Sequence, residues 1–303
     1  GAIVELFNVL GLAIPIGNPH STFDLFARIP NWNILFLIKP DYENSVPIIM
    51  PVTLAAFSAF LVTGAGNVLN DYYDRNLDKK AHPKRPIPSG QVLPKNAWKF
   101  AITLFAVGII LTILVNWICM IFALVNTILL FIYEVNLKAK GLSGNCVISY
   151  LTASVFLFGG ASVLSFLFVP IFFLLAMLAN MSREITKDIE DMDADKAYRK
   201  TYPITAGKRK AAKVAIIYLW MSIALSVIPL FIVLIISEFF ILFSGKIIGY
   251  TSIVIMADAL FVMSTHTVMK DPRKAQSRMK FGMLVAMMAF MVFGLIPVIG
   301  IQM

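Results

Sequence analysis

Two stretches of this chain carry carboxylates at a spacing that can do chemistry. In Asn67-Val-Leu-Asn70-Asp71-Tyr-Tyr-Asp74-Arg75-Asn-Leu-Asp78 the acids stand at i, i+3 and i+7, and Asp188, Asp191 and Asp195 repeat that spacing in Glu184-Ile-Thr-Lys187-Asp188-Ile-Glu190-Asp191-Met-Asp193-Ala-Asp195. On a helix each set forms one ridge. Asn67 and Glu184 add an oxygen one turn earlier on each. Like charges this close repel by a few tenths of a kcal/mol per pair in water, and by more beside an apolar segment, so something must neutralise them. Carboxylate and amide oxygens are the hard ligands Mg²⁺ takes, and Mg²⁺ keeps part of its shell for substrate phosphates. Two acidic ridges therefore predict two metal-diphosphate sites. Hydrated helix ends at a membrane surface would explain one such cluster, but not two in one register with basic residues just downstream.

The correspondence carries on past the acids. At the same offset of 117 residues that relates Asp71 to Asp188, Pro86-Ile87 matches Pro203-Ile204 and Gly90 matches Gly207, which marks an internal repeat with halves at about 22–140 and 141–303. A diphosphate leaving group gathers negative charge as its C–O bond breaks, and fixed cations aimed at it lower that barrier more than they stabilise the resting substrate. Arg85, in a Pro-restrained turn after Asp78, is the leading candidate. Lys138 and Lys187 are placed to join it, Tyr133 to orient Lys138, and Asn145 to offer an amide to phosphate or metal. For the lysines, ordinary contact with lipid headgroups is the competing role.

Composition sets where these residues must work. The chain has 303 residues, 59 % hydrophobic and 14 % charged, with a mean hydropathy of +0.81. That lies far outside soluble averages and predicts an integral membrane protein. Apolar runs long enough to cross a ~30 Å hydrocarbon layer recur along the whole length, so one membrane domain over 1–303 is expected, with no soluble appendage. Residues 2–16 are apolar but short, lack a basic flank and carry Glu5, which argues against a secretory signal and for an interfacial or irregular segment. Nine spans are expected, at about 22–38, 48–70, 96–115, 117–136, a fifth ending near 166, a sixth from 168 into the second acidic motif, 214–235, 247–269 and 281–301. A loop at 39–47 and basic connections at 71–95 and 196–213 separate them.

In that arrangement every Lys and Arg except Arg28, Lys39 and Lys246 falls on one face of the membrane, which makes that face cytoplasmic and places both acidic motifs there. The net charge of +9 is then a topology signal that also suits anionic substrates, and no pattern calls for nucleic acid. Cys119 and Cys146 are expected on opposite sides of the bilayer, so no disulfide is predicted. No Cys/His spacing resembles a zinc site, and His20, His82 and His266 are scattered. Asp258 falls near the middle of the eighth span, where an unpaired carboxylate is expensive. A role in a cavity and a structural role, protonated or bonded to a nearby Ser or Thr, both fit it. The 24 Phe and 15 Met suit a cavity for a polyisoprenoid tail and a lipid-facing surface equally.

Asn70-Asp71-x-x-Asp74-x-x-x-Asp78, followed by Arg85-Pro-Ile-Pro-Ser-Gly90 and by a second Asp-rich motif over a hundred residues later, resembles the UbiA superfamily of intramembrane prenyltransferases. Ala65-Gly-Asn67-Val-Leu-Asn70-Asp71 and Arg183-Glu184-Ile-Thr-Lys187-Asp188 are most similar to the branch that builds ether lipids. The resemblance implies an all-α fold of nine transmembrane helices around a central cavity with a cytoplasmic cap, and motifs that bind Mg²⁺ and prenyl diphosphate. Ala194, where the family usually has Gly, and Asp193, where Glu is common, are mild departures, and the region before Asn31 fits poorly. The expected reaction is Mg²⁺-assisted ionisation of an allylic diphosphate, with Asn67, Asn70, Asp71, Asp74 and Asp78 as ligands on one side and Asp188, Asp191 and Asp195 on the other. Arg85, Lys138 and Lys187 supply further positive charge. In the ether-lipid branch the acceptor is the free hydroxyl of geranylgeranylglyceryl phosphate, whose own phosphate would use the surplus cations. An aromatic acceptor, as in quinone or chlorophyll synthesis, is the alternative within the enzyme class. A transporter is the alternative outside it, but it predicts acids at the midplane and an inverted repeat, whereas four spans between equivalent points make this repeat parallel.

Overall fold

The structure is a computed structural model that describes residues 28–31, 41–47, 49–164, 166, 168–196, 199–236 and 245–293. A two-stranded ribbon, β1 (Arg28–Asn31) and β2 (Asp41–Pro47), comes first. The helices follow as α1 (Ile49–Ala81), α2 (Pro94–Ile113), α3 (Trp117–Ile132) with a π-turn at Tyr133–Leu137, and α4 (Leu142–Ser162). Then come α5 (Val169–Glu190), α6 (Met192–Asp195), α7 (Tyr202–Ala206), α8 (Lys208–Leu225), α9 (Ile228–Ile236), α10 (Gly245–Thr265) and α11 (Pro272–Phe293).

Among the described residues seven helices are long and apolar enough to cross a membrane, with α8 and the start of α9 counted as one. Large apolar side chains left exposed on them, such as Phe57, Phe60, Ile110 and Ile255, fit contact with lipid, which removes the penalty that water would impose on them. The first of the nine expected spans differs. Of 22–38 only Arg28–Asn31 is described, and it is a strand paired antiparallel with Asp41–Pro47, Ile29 opposite Val46. Pro30 breaks the helical hydrogen-bond ladder that a span would need, and the segment expected as a loop at 39–47 supplies its partner strand. The segment at 2–16 lies outside the described residues. At the other end, α11 starts before 281 with Arg273, Lys274, Arg278 and Lys280 in its first half, and 294–301 of the span expected there lie outside the described residues.

Three connections also differ. The helix expected to end at 70 continues to Ala81, because no Gly or Pro interrupts it before Pro83, and the first acidic motif rides on it as one ridge. The span expected at 214–235 divides between α8 and α9 where Pro229 follows. The second acidic motif, read as one ridge, is broken after Glu190: Asp191 takes φ −84° and ψ 1° between α5 and α6.

The chain forms two compact units. The first holds the ribbon, α1 to α3 and the last residues of α4. Its helices α1 and α2 approach closely at Gly108, where a Cβ would meet Val62 Cγ2 at 2.9 Å and the Ser58 carbonyl at 3.3 Å. The Ser58 hydroxyl donates to the Gly108 carbonyl at 2.8 Å, the small-residue packing by which membrane helices associate. Asn116 caps α3 by accepting from Cys119 N at 2.8 Å and donates to the Ala161 carbonyl at 2.8 Å. One core gathers Ala65, Leu69 and Phe105, with Trp98 and Phe131 against it.

The second unit holds the first part of α4 and the helices from α5 onward. Its core is shared by Ile185 and Ile189 of α5, Ala211 to Leu219 of α8, Phe261 of α10 and Met279 of α11. Asp258 of α10 accepts from Ser226 Oγ at 2.8 Å. Of the two roles open to it, this is the structural one, a hydrogen bond that satisfies a membrane-embedded carboxylate.

Candidate active site

The first acidic motif stands on α1 where that helix leaves its apolar part. Asp78 is buried, Asp71 and Asp74 half-buried and Asn67 exposed. The helix runs on through a turn in which Arg85 N donates to the His82 carbonyl at 3.0 Å and Ser89 N to the Arg85 carbonyl at 2.9 Å. Gly90 closes that turn at φ 81°, the left-handed region that favours glycine. The turn brings Arg85 back onto the acids: Nη1 donates to Asp78 Oδ2 at 2.7 Å and to Asp71 Oδ1 at 3.3 Å. One nitrogen therefore receives two carboxylates seven residues apart, and the expected partnership of Arg85 with this motif is present. Asn70, the other amide of the motif, donates through Nδ2 to Glu134 Oε1 at 3.0 Å. Tyr72 lies against Trp98 with ring centroids 5.2 Å apart, and the Arg75 guanidinium covers the Tyr72 ring at 4.5 Å. These contacts fix the face of α1 next to the acids.

The second motif is built from α5, the bend at Asp191 and α6. Asp191 N donates to the Lys187 carbonyl and Asp195 N to the Asp191 carbonyl, both at 2.9 Å, so the helical ladder resumes on each side of the bend. Asp188 accepts from Asn145 Nδ2 at 2.9 Å, which makes Asn145 a partner of this motif. Burial pushes the Asp191 carboxyl above its usual range against the pull of Lys187, whereas the exposed Asp193 is held below it by its hydrogen bond to Lys196. Asp195 is buried, with Arg199 Nη1 3.8 Å away. Glu184 pairs with its neighbour Arg183. Glu190 ties the end of α5 to α11, accepting from Gln276 Nε2 at 3.0 Å. Lys187 is exposed, and Tyr133 and Lys138 are half-buried at the end of α3 and the start of the loop to α4. The loop between α6 and α8 contains Pro203-Ile204 in α7 and Gly207 at φ 87°, so the two glycines matched in sequence both take a positive φ.

Both oxygen sets have the chemistry Mg²⁺ prefers, and the convergence of Asp71 and Asp78 on one positive nitrogen shows that their oxygens reach a common cation; on these grounds the residues fit the ion. Among the described residues, though, no three His, Cys, Asp or Glu side chains stand close enough to hold a metal as a preformed cluster. The contacts of that nitrogen explain why: at 3.3 and 2.7 Å the two oxygens stand wider around it than the ~2.1 Å that Mg²⁺ takes, so such a ridge suits ions bridged by a ligand with several oxygens. Sequence reading passed over Glu134. Its signal was a single acid at the end of an otherwise apolar helix, next to Tyr133, where an ionisable residue is a candidate for function.

Comparison with known proteins agrees with this geometry. Residues 41–292 match the model of the UbiA prenyltransferase family. The digeranylgeranylglyceryl phosphate synthase of Methanosarcina mazei is 38 % identical over 255 residues, covering 83 % of this chain and 84 % of that one. The enzyme of the same name from Natronomonas pharaonis is 36 % identical over 245 residues, covering 80 % and 84 %. Among solved structures, one described as giving insight into the biosynthesis of digeranylgeranylglyceryl phosphate synthase in membranes superposes with a TM-score of 0.65 at 31 % identity, over 82 % of this chain and 86 % of that one. A UbiA homologue from Archaeoglobus fulgidus, bound to GPP and Mg²⁺, shares the fold at a TM-score of 0.59 and 17 % identity, over 81 % and 88 %. Matched by the family model from its second strand into its last helix, and with relatives this similar over most of its length, the chain belongs to the UbiA prenyltransferase family.

Proposed function

We propose that this protein transfers a geranylgeranyl group from its diphosphate to the free hydroxyl of geranylgeranylglyceryl phosphate, as a single membrane domain of transmembrane helices around a central cavity whose working face is cytoplasmic. The observation that carries the reading is Arg85 set against Asp71 and Asp78 at 3.3 and 2.7 Å: a cation and an anionic metal-binding ridge held together at the end of a membrane helix. The names of the relatives cited above support the choice of acceptor.

Mg²⁺, held by Asn67, Asn70, Asp71, Asp74 and Asp78 in the first motif and by Asp188, Asp191 and Asp195 in the second, would neutralise the diphosphate as its bond to the allylic carbon breaks. The residues of the chain do the rest. Asp71 and Asp78 hand Arg85 from their own oxygens to those of the substrate, where its guanidinium meets the charge that grows on the leaving group. Lys138, oriented by Tyr133, and Lys187 add positive charge, and Asn145 keeps Asp188 in place. The C–O electron pair leaves with the diphosphate, the acceptor hydroxyl oxygen bonds to the allylic carbon, and its proton passes to a motif carboxylate or to the released diphosphate. Because an alcohol bonded to a carbocation is strongly acidic, no dedicated strong base is needed.

The test is to incubate the purified protein and Mg²⁺ with geranylgeranyl diphosphate and either geranylgeranylglyceryl phosphate or a hydroxylated aromatic acid. Ether formation on the glyceryl phosphate alone is expected. Transfer to the aromatic acid alone would overturn the choice of acceptor.

A further inference from the structure

Glu134 breaks the pattern of the helix end that carries it. It is 9 % exposed while its neighbour Val135 is 56 % exposed, the reverse of what side-chain chemistry favours in water and a costly place for a carboxylate beside lipid. The π-turn at Tyr133–Leu137 permits this, because one wide turn shifts which side chains face inward; such turns recur at functional sites. What Glu134 meets there is Asn70 Nδ2, at 3.0 Å.

The chemistry of that pair fixes an orientation. Asn70 faces Glu134 with its NH₂ edge, Nδ2 donating to the carboxyl oxygen, so the Asn70 Oδ1 is turned away from it. Only the oxygen of an amide ligates a hard cation. Glu134 thus selects which end of Asn70 remains to be offered as a ligand. The second motif uses the same amide-carboxylate bond with the roles exchanged, Asn145 donating to Asp188.

We propose that Glu134 is the positioning residue of the first acidic motif, holding the Asn70 amide so that its oxygen, and not its nitrogen, is presented to the metal. This rests on the reading of Asn70 as a ligand. Outer partners of this kind commonly change metal affinity 10–100-fold when removed.

The experiment is a Mn²⁺ titration of the full-length protein in detergent, followed by the EPR signal of free Mn²⁺, on the wild type, E134A, E134Q, N70A and the N70A/E134A pair, with melting temperature as a parallel readout. Glu134→Ala is expected to weaken Mn²⁺ binding about tenfold or more. Glu134→Gln, whose carbonyl still accepts from Asn70, retains most of the affinity, and the double variant binds no more weakly than N70A alone, the non-additivity of two groups acting as one. Weak binding in N70A with wild-type binding in E134A would overturn the positioning role and leave Asn70 a ligand, as would independent, additive losses. Wild-type binding in N70A would overturn the ligand reading and this proposal with it. Should E134A not fold, Glu134→Asp, which keeps the charge and loses the reach, decides the matter: weakened Mn²⁺ binding supports the proposal and unchanged binding overturns it.

Discussion

Arg85 carries two duties that pull in different directions. In this structure it neutralises Asp71 and Asp78; during reaction it has to leave them for the diphosphate. The pair with half-exposed Asp71 contributes little to stability, in the range of about 0–1 kcal/mol for surface ion pairs, but the buried Asp78 carboxylate needs another cation before Arg85 can leave it. Arg85→Ala is therefore expected to lower kcat by about 10²–10³-fold, the loss typical of removing one donor aimed at transition-state charge, with a drop in melting temperature that added Mg²⁺ reverses. Steady-state kinetics and thermal unfolding with and without Mg²⁺ check both parts. A rise in KM at unchanged kcat would instead make Arg85 a ground-state binder. Residue types and spacing made the acids and Arg85 legible from the sequence, because charge at intervals of three, four and seven has few uses at the end of an apolar run. Glu134 was not legible as their partner. Its link to Asn70 spans 64 residues, and no local pattern encodes a contact that two helices make by packing.

Helices were legible to the extent that each is governed by local rules. The spans expected at 96–115 and 117–136 appear as α2 and as α3 with its π-turn, since long apolar runs bounded by Pro94 and capped by Asn116 leave little choice. The misreadings lie where a polar segment had to be assigned. The end of α1 looked like a loop because it is charged, yet Asp, Arg, Leu and Lys sustain a helix when nothing breaks it. The bend at Asp191 interrupts a sequence with no Gly or Pro near it; the break has no local cause. Close packing is a further property of elements that the chain hides. Gly64 and Gly108 look alike in sequence, but a Cβ on Gly64 meets only Leu104 Cδ1 at 3.9 Å, whereas one on Gly108 meets Val62 at 2.9 Å and the Ser58 backbone at 3.3 Å. Replacing Gly by Ala favours a helix by roughly 0.5–1 kcal/mol. Gly64→Ala is thus expected to be neutral or stabilising, and Gly108→Ala destabilising by about 1–3 kcal/mol, the usual cost of overpacking. Denaturation of the two variants in the same detergent tests the contrast, and equal effects would show that α1 and α2 do not approach as described.

At the scale of the whole molecule the question is which face of the membrane each motif meets. The basic residues support the proposed cytoplasmic working face, because cytoplasmic connections collect Lys and Arg, and here they collect around the acids: Lys79 and Lys80 end α1, Lys138 and Lys140 lie between α3 and α4, and Lys208, Arg209 and Lys210 open α8. The two cysteines then make a natural ruler. Cys146 is exposed in the first turn of α4, beside Lys138 and Lys140, while Cys119 is fully buried in the first turn of α3, near the opposite end of that helix. In vesicles of known orientation, a membrane-impermeant maleimide is expected to label Cys146 only from the cytoplasmic side and to leave Cys119 unmodified until the protein is denatured. Ser143→Cys, in an exposed position before Cys146, gives a second reporter for that side. Leu114→Cys, 57 % exposed between α2 and α3, should label only from outside. Since α3 alone separates Leu114 from the loop bearing Lys138, labelling of both reporters from one side would mean that α3 does not cross the membrane. Exchange of the two sides would place the Asp-rich motifs away from the cytoplasm, where the charge distribution of this chain would have no account.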